Sequence, residues 1–349
     1  MTQRIFCTLD GIRGVAALCI VVLHAHRFFG DLLPSAQMAV DLFFVLSGFV
    51  LAHAYEPRFR DGMTPLRFMC QRFARLYPLY LLGIGLGVVQ AVLFLHYHQG
   101  SMTWTWSALL AALPFAFVML PTPFDAGLFP LNGVMWSIFF ELVANAIWVL
   151  FWRPLRSTKV LVAVILGSGV LLAVAAHGYD TMALGANWHT APGGLARVTY
   201  SFMLGVLLYR VRESVWLPRV PPVVLLAALP MLAAFDLSTS AQLLCALFVF
   251  PALVLLGARV EPSGTAGVVC HKLGVASYGV YTLHKRLYML SYAALLHFFG
   301  IQAEAFAPWG GLVFLVLLVV GCVILTNVFE RPARRALSRL LDRRLPARV

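Results

Sequence analysis

The stretch LDGIRGVAALCIVVLHAH, residues 9–26, decides how this chain is read. Its apolar run reads as a membrane helix, yet Arg13 stands near one end and His24 lies deep inside. The two are eleven residues apart, almost three whole turns, so both side chains leave one helix face. Their separation along the axis is about 16 Å, roughly half the hydrocarbon thickness of a bilayer. One face therefore offers an anion-binding group at a membrane mouth and a titratable group at mid-depth.

The remainder is of the same kind. Of 349 residues 61% are hydrophobic and 11% charged, and the mean hydropathy is +0.86. A soluble domain is about half apolar and a quarter charged. Apolar segments lie near residues 12–29, 38–55, 76–96, 105–121, 134–152, 160–176, 195–210, 221–236, 241–258, 273–298 and 309–329. The formal charge of +12 is gathered in short loops and the tail: Arg58–Arg75, Arg153–Lys159, Arg210–Arg219 and Arg331–Arg348. Basic loops between apolar spans orient a membrane protein by the positive-inside rule, which accounts for the charge without nucleic acid. All the basic loops fall inside only if one segment does not cross. Segment 105–121 is the weakest, with Pro114 within it and Pro121 and Pro123 at its end. The expected fold is thus an all-α polytopic membrane protein of about ten transmembrane helices plus one re-entrant or interfacial helix. Both termini are then cytoplasmic. Residues 1–335 form one integral-membrane domain and 336–349 a basic cytosolic tail. The first span is expected to be a retained helix, not a cleaved signal peptide. The six cysteines lie in spans or inner loops, so no disulfide is expected, and no Cys/His spacing resembles a metal site.

In this frame the outer loops, such as HYHQGSMTW, PTPFDAGLFPLNG and HGYDTMALGANWHTAPGG, hold almost no Lys or Arg. They suit a neutral polar ligand such as a sugar, and equally suit ordinary loops with interfacial Trp and Tyr anchors. Other polar residues fall at membrane depth. Asp41 opens the second span, and Glu141 lies two turns into NGVMWSIFFELVANAIW with Ser137 one turn before it. In SYGVYTLHKRLYML, Ser277, Tyr281, His284 and Tyr288 step along one face, and Lys285 and Arg286 stand far from either helix end. Each alone is open to a packing role, and Asp41 or Glu141 could orient a histidine. Two histidines, two carboxylates and several cations together point to a site, because ionisable groups in a membrane face a cavity or a partner. CQRFARLYPLY places Arg72 and Arg75 at i and i+3, which serves either a phosphate fork or positive-inside charge.

These elements together resemble the membrane acyltransferase 3 family, which O-acylates surface glycans and other acceptors in bacteria. They are LDGIRG with VVLHAH, VDLFFVLSGFVLAHAYE, RFARLYPLY, WSIFFE with Trp136, Ser137 and Glu141, SYGVYTLH ending at His284, and ERP at Glu330–Pro332. They run in order over nearly the whole chain. Lys285 and Arg286 depart from the family habit of a residue and then proline after the late histidine. No extramembrane hydrolase-like domain follows the last span, so a second catalytic partner would be a separate chain.

The resemblance implies an O-acetyltransferase type of enzyme in the bacterial inner membrane. Cytosolic acyl-CoA, expected to be acetyl-CoA, is the donor substrate, and no permanently bound cofactor is expected. Its phosphates would rest on Arg13, Arg72 and Arg75. His24 would act as general base on a glycan or other hydroxyl arriving from outside, with Asp41 or Glu141 as orienter and His284 also in the catalytic set. An acyl-histidine intermediate is the other form of that chemistry. Trp136, Ser137, Tyr281 and Lys285 would contact substrate. A transporter or flippase of glycan or lipid-linked sugar is the competing class, against which stands the lack of an inverted repeat or matched broken helices.

Overall fold

The computed structural model describes residues 6–97 and 104–344. The helices begin with α1 (Cys7–His24), α2 (His26–Phe29), α3 (Ala39–Arg60), α4 (Pro65–Tyr97) and α5 (Trp106–Phe117). They continue with α6 (Met135–Leu150), α7 (Trp152–Leu155), α8 (Thr158–Tyr179), α9 (Ala191–Val211) and α10 (Pro222–Ala233). The last five are α11 (Thr239–Leu244), α12 (Phe250–Gly257), α13 (Gly264–Phe299), α14 (Trp309–Leu325) and α15 (Arg331–Arg344). Single π-helical turns at Cys245–Val249 and Thr326–Glu330 join α11 to α12 and α14 to α15. Among the described residues there is no strand, only an isolated bridge between Gly127 and Asn187.

Seven helices are long and apolar enough to cross a bilayer, against the ten expected. The shortfall has a physical reason in each case. α6 has 16 residues and α10 has 12, so at 1.5 Å per residue they span about 24 and 18 Å of a core about 30 Å thick. α13, at 36 residues, is long enough but carries too much polar character. The spanning character of the rest is plain on the outside. α8 buries 28% of its apolar window, and the α14–α15 span 17%. Leu166, Val170, Val174, Val316, Leu317 and Val320 stand exposed there with no charge between them. In water such a face would be an aggregation surface; against lipid tails it costs nothing. The molecule is a multi-pass membrane protein.

α5 enters and leaves on one side. Ala108 near its start and Asp125–Pro130 beyond its end line the same cavity. Its far end meets α4 deeper in, where the Tyr77 and Tyr80 hydroxyls donate to the Phe117 and Ala116 carbonyls at 3.0 and 2.8 Å. Those phenols satisfy carbonyls that a helix end at membrane depth would leave orphaned. Met119 then takes a left-handed φ of 58° and turns the chain back. The loop HYHQGSMTW before α5 falls largely outside the described residues.

Two parallel helix pairs hold the interior. α1 and α13 run side by side in one register, so close that a Cβ on Gly274 would lie 2.5 Å from that of Asp10. α3 and α9 cross through glycines: a Cβ on Gly48 would collide with the Phe202 carbonyl, and one on Gly205 with that of Val45. Small residues let backbones approach this closely where lipid supplies no hydrophobic drive between helices. The α3–α9 pair is pinned at both ends by ion pairs, Arg197 to Asp41 and Arg210 to Glu56, each at 2.7 Å.

Candidate functional site

Arg13 and His24 leave one face of α1, and they open into two different cavities. Arg13 lies in a cavity of about 300 Å³ that Arg72, Arg75, Arg331 and Arg334 also line. Asp10, Glu141 and Glu330 are its acids. His24 lies in a cavity of about 800 Å³ with Trp136, Arg197, Lys285 and Arg286, where Asp125 is the one acid. Val40 and Tyr281 line both cavities, so a thin wall separates them. The Tyr281 hydroxyl meets Ser137 Oγ at 2.6 Å within that wall, and Ser137 Oγ donates to the Val134 carbonyl at 3.1 Å.

The parallel register of α1 and α13 brings the two histidines together. His284 Nε2 lies 3.0 Å from His24 Nδ1. His284 Nδ1 faces the carbonyls of Tyr281 at 2.8 Å and Val280 at 3.1 Å, so it carries its proton and leaves Nε2 as an acceptor. His24 Nδ1 faces both that acceptor and the Ile20 carbonyl at 3.1 Å, so it too is protonated. The lone pair of His24 therefore falls on Nε2, which has no hydrogen-bond partner among the described residues and belongs to the cavity-facing side chain. His284 is fully buried and lines neither cavity. It stands behind His24 rather than in a cavity.

Neither carboxylate orients a histidine, and here the structure corrects the sequence expectation. Asp41 accepts two bonds of 2.7 Å from Arg197 Nε and Nη2, a bidentate pair with both side chains at 1% exposure or less. Glu141 accepts from Arg72 Nη2 at 2.7 Å and from Ser47 Oγ at 2.6 Å, in the arginine-lined cavity. Each acid has closed on the nearest guanidinium, as a carboxylate out of water must. The side-chain partner of His24 is the second histidine.

The arginines divide by partner. Arg13 donates to Asp10 Oδ1 at 2.7 Å, to the Gly274 carbonyl at 3.0 Å and to Ser277 Oγ at 3.2 Å. Asp10 Oδ2 also meets His271 Nδ1 at 3.1 Å. Arg72 is buried on Glu141, while Arg75 is exposed at the cavity and makes no ion pair among the described residues. Arg72 and Arg75 sit inside α4 rather than in a loop, since that helix begins at Pro65. Trp136 and Lys285 line the larger cavity and Ser137 the smaller, with Tyr281 in both. Tyr288 packs on Phe28 and Phe314, away from the site. Sequence reading missed Asp10, Arg197, Arg331 and Arg334. The signal for Arg197 was available, since it is a cation at the head of an apolar segment, away from the basic loops.

The chain is similar to several known proteins. A family model described as an acyltransferase domain matches residues 8–328. Protein 2 in the picA locus of Rhizobium radiobacter is 44% identical over 186 residues, 49% of this chain and 94% of that one. Acyltransferase MdmB of Streptomyces mycarofaciens is 26% identical over 369 residues, covering 95% and 92%. The exopolysaccharide production protein ExoZ of Rhizobium meliloti is 30% identical over 154 residues, covering 42% and 46%. No solved structure matches.

Proposed function

The chain belongs to the membrane acyltransferase 3 family, and on that premise we propose that it moves an acetyl group from cytosolic acetyl-CoA to a glycan hydroxyl outside the plasma membrane. The observation that carries the reading is the single face of α1, with Arg13 in one cavity and His24 in the other. The donor's phosphates rest among Arg13, Arg72 and Arg75, and its pantetheine arm runs about 16 Å along α1 past the Tyr281–Ser137 wall. The acceptor enters the larger cavity and gives its hydroxyl proton to Nε2 of His24. Its oxygen attacks the thioester carbonyl, the carbon–sulfur bond breaks, and the CoA thiolate leaves with the proton that the imidazole returns. A hydroxyl whose pKa lies far above 7 needs such a base, which is worth about 10²–10⁴-fold.

The arginine-rich mouth, with α15 beside it, supports a cytosolic placement under the positive-inside rule. The name of one relative, an exopolysaccharide production protein, supports a polysaccharide acceptor. The test is acetyl transfer by the purified chain in detergent, with and without a glycan acceptor, for the parent and His24→Ala. Acetyl-CoA consumption that needs His24 and rises with acceptor is the expected result. Glycan movement across proteoliposomes without acetyl-CoA consumption would instead make the protein a transporter.

A further inference from the structure

The larger cavity holds more positive charge than its walls neutralise. Arg286 is 3% exposed, and it donates to Gln90 Oε1 at 2.5 Å and to the Pro130 carbonyl at 3.2 Å. These partners and the third, Met289 Sδ at 3.9 Å, are neutral, and its Nε is buried without a partner among the described residues. Lys285, the next residue, is half-buried on the same cavity and makes no hydrogen bond or ion pair among the described residues. Its Nζ projects toward Gly133 at the approach to α6, where a Cβ would lie 3.5 Å away. The other cavity cation, Arg197, already has its counter-charge in Asp41. Asp125, the one acid lining the cavity, accepts from the Gly127 N–H at 2.7 Å and makes no ion pair among the described residues.

Among the described residues the other two buried arginines are matched by carboxylates, Arg72 by Glu141 and Arg197 by Asp41, and the partly buried Arg210 by Glu56. A buried guanidinium next to an ammonium is strongly unfavourable without a counter-charge, and the more so in a membrane. Resting on the acyltransferase reading, we infer that the acceptor is anionic. A carboxylate or phosphate on the accepting sugar lies between Lys285 and Arg286 while its hydroxyl meets Nε2 of His24. The loops around this cavity, almost free of Lys and Arg, suit a neutral sugar on sequence alone. The charge that selects the acceptor instead sits beneath them, on α13.

The experiment gives the purified full-length protein acetyl-CoA and three acceptors: methyl glucoside, methyl glucuronide and methyl glucoside 6-phosphate. The two anionic acceptors should show KM values at least about tenfold below that of the neutral one, with a preference that shrinks as salt rises. Lys285→Met should erase most of that preference through KM, and Lys285→Arg should keep it. The relative response to carboxylate and phosphate tells which anion the pair is shaped for. Equal KM for all three acceptors overturns the inference. So does a Lys285→Met variant that loses kcat equally on charged and neutral acceptors, which would put Lys285 at the developing oxyanion of the thioester. If Lys285→Met does not fold, the parent's own acceptor preference decides. Transfer without charge preference sinks this inference alone, whereas no transfer to any acceptor sinks the underlying reading with it.

Discussion

The two parallel helix pairs are built alike, but one neutralises its charge and the other does not. α3–α9 and α1–α13 each pack through glycines and each carry polar links at two levels. In α3–α9 both links are closed ion pairs, Asp41 with Arg197 and Glu56 with Arg210. In α1–α13 only the Arg13 level has a carboxylate, and even there Arg13 borders a cavity. The His24 level pairs two imidazoles and leaves Lys285 and Arg286 without a counter-charge. The lesson is one of accounting by charge. Where the protein neutralises its own buried charge, the link fixes one helix on another. Where it does not, a position is kept for a ligand.

The largest effect should come from opening the closed pair. Arg197→Ala strands a fully buried carboxylate, which costs about 3–5 kcal/mol, a large part of the stability of an ordinary domain. Thermal unfolding in detergent should show the variant largely unfolded or aggregated. Leucine at both Asp41 and Arg197 should recover much of the loss, because a packed apolar pair removes the stranded charge. An Arg197→Ala protein as stable as the parent would break the comparison at its root.

His24→Ala sharpens the comparison from the other side. The variant should unfold near the parent temperature but lose turnover by about 10²–10⁴-fold. The parent's rate should fall on the acid side, because a protonated imidazole cannot accept the hydroxyl proton, and that acid limb should vanish in the variant. His284→Ala should lower turnover and move the limb without abolishing it, since the two rings titrate as a coupled pair. If His24→Ala destabilises as much as Arg197→Ala, the histidine level is a structural link like the others.

What could be read beforehand followed from periodicity within one helix. The shared face of Arg13 and His24 needs only 3.6 residues per turn, and the same arithmetic aligns Ser277 with His284 along α13. What could not be read was partner choice between helices. Asp41 lies 156 residues from Arg197, and His24 lies 260 from His284. No local pattern says which guanidinium a carboxylate will find, so the expectation that Asp41 or Glu141 orients a histidine misses the partners of both. Of the ten apolar segments read as spans, seven form helices long and apolar enough to cross a bilayer. α6 and α10 break off at 16 and 12 residues, and helix length is not set by hydropathy alone.

A smaller effect separates the arginines of the donor cavity. Arg75 has no ion-pair partner among the described residues, so Arg75→Ala should leave folding intact and weaken acetyl-CoA binding by about 1.5–3 kcal/mol. Acetyl-pantetheine, which lacks the nucleotide, should be nearly unaffected. Arg72→Ala should lose stability as well, because it strands Glu141. Calorimetric titration with both donors checks this, and equal losses for the two donors would reduce Arg75 to a topological charge.

The smallest effect should come from a third kind of pair, exposed rather than buried. Arg27 and Glu304 meet at 2.7 Å with side chains 47% and 43% exposed, in the segments just beyond α1 and between α13 and α14. The Glu304 carboxyl is held below the usual carboxylate range, first by its own backbone N–H and then by Arg27. A depressed carboxylate contributes stability that is present above its unfolded pKa, about 4.3, and that disappears as pH falls through the folded value. Water screens both groups here, so Glu304→Gln should give no resolvable change in unfolding temperature at pH 7 in physiological salt. Any difference seen at low salt should fade below pH 4, where the parent's carboxyl is itself neutral. The contact is as short as those between Asp41 and Arg197, but it is a single bond in water where theirs is a buried bidentate pair. A Glu304→Gln shift as large as that of Arg197→Ala would mean that distance, not desolvation, sets the strength of these links. The contrast between the two helix pairs would then lose its physical basis.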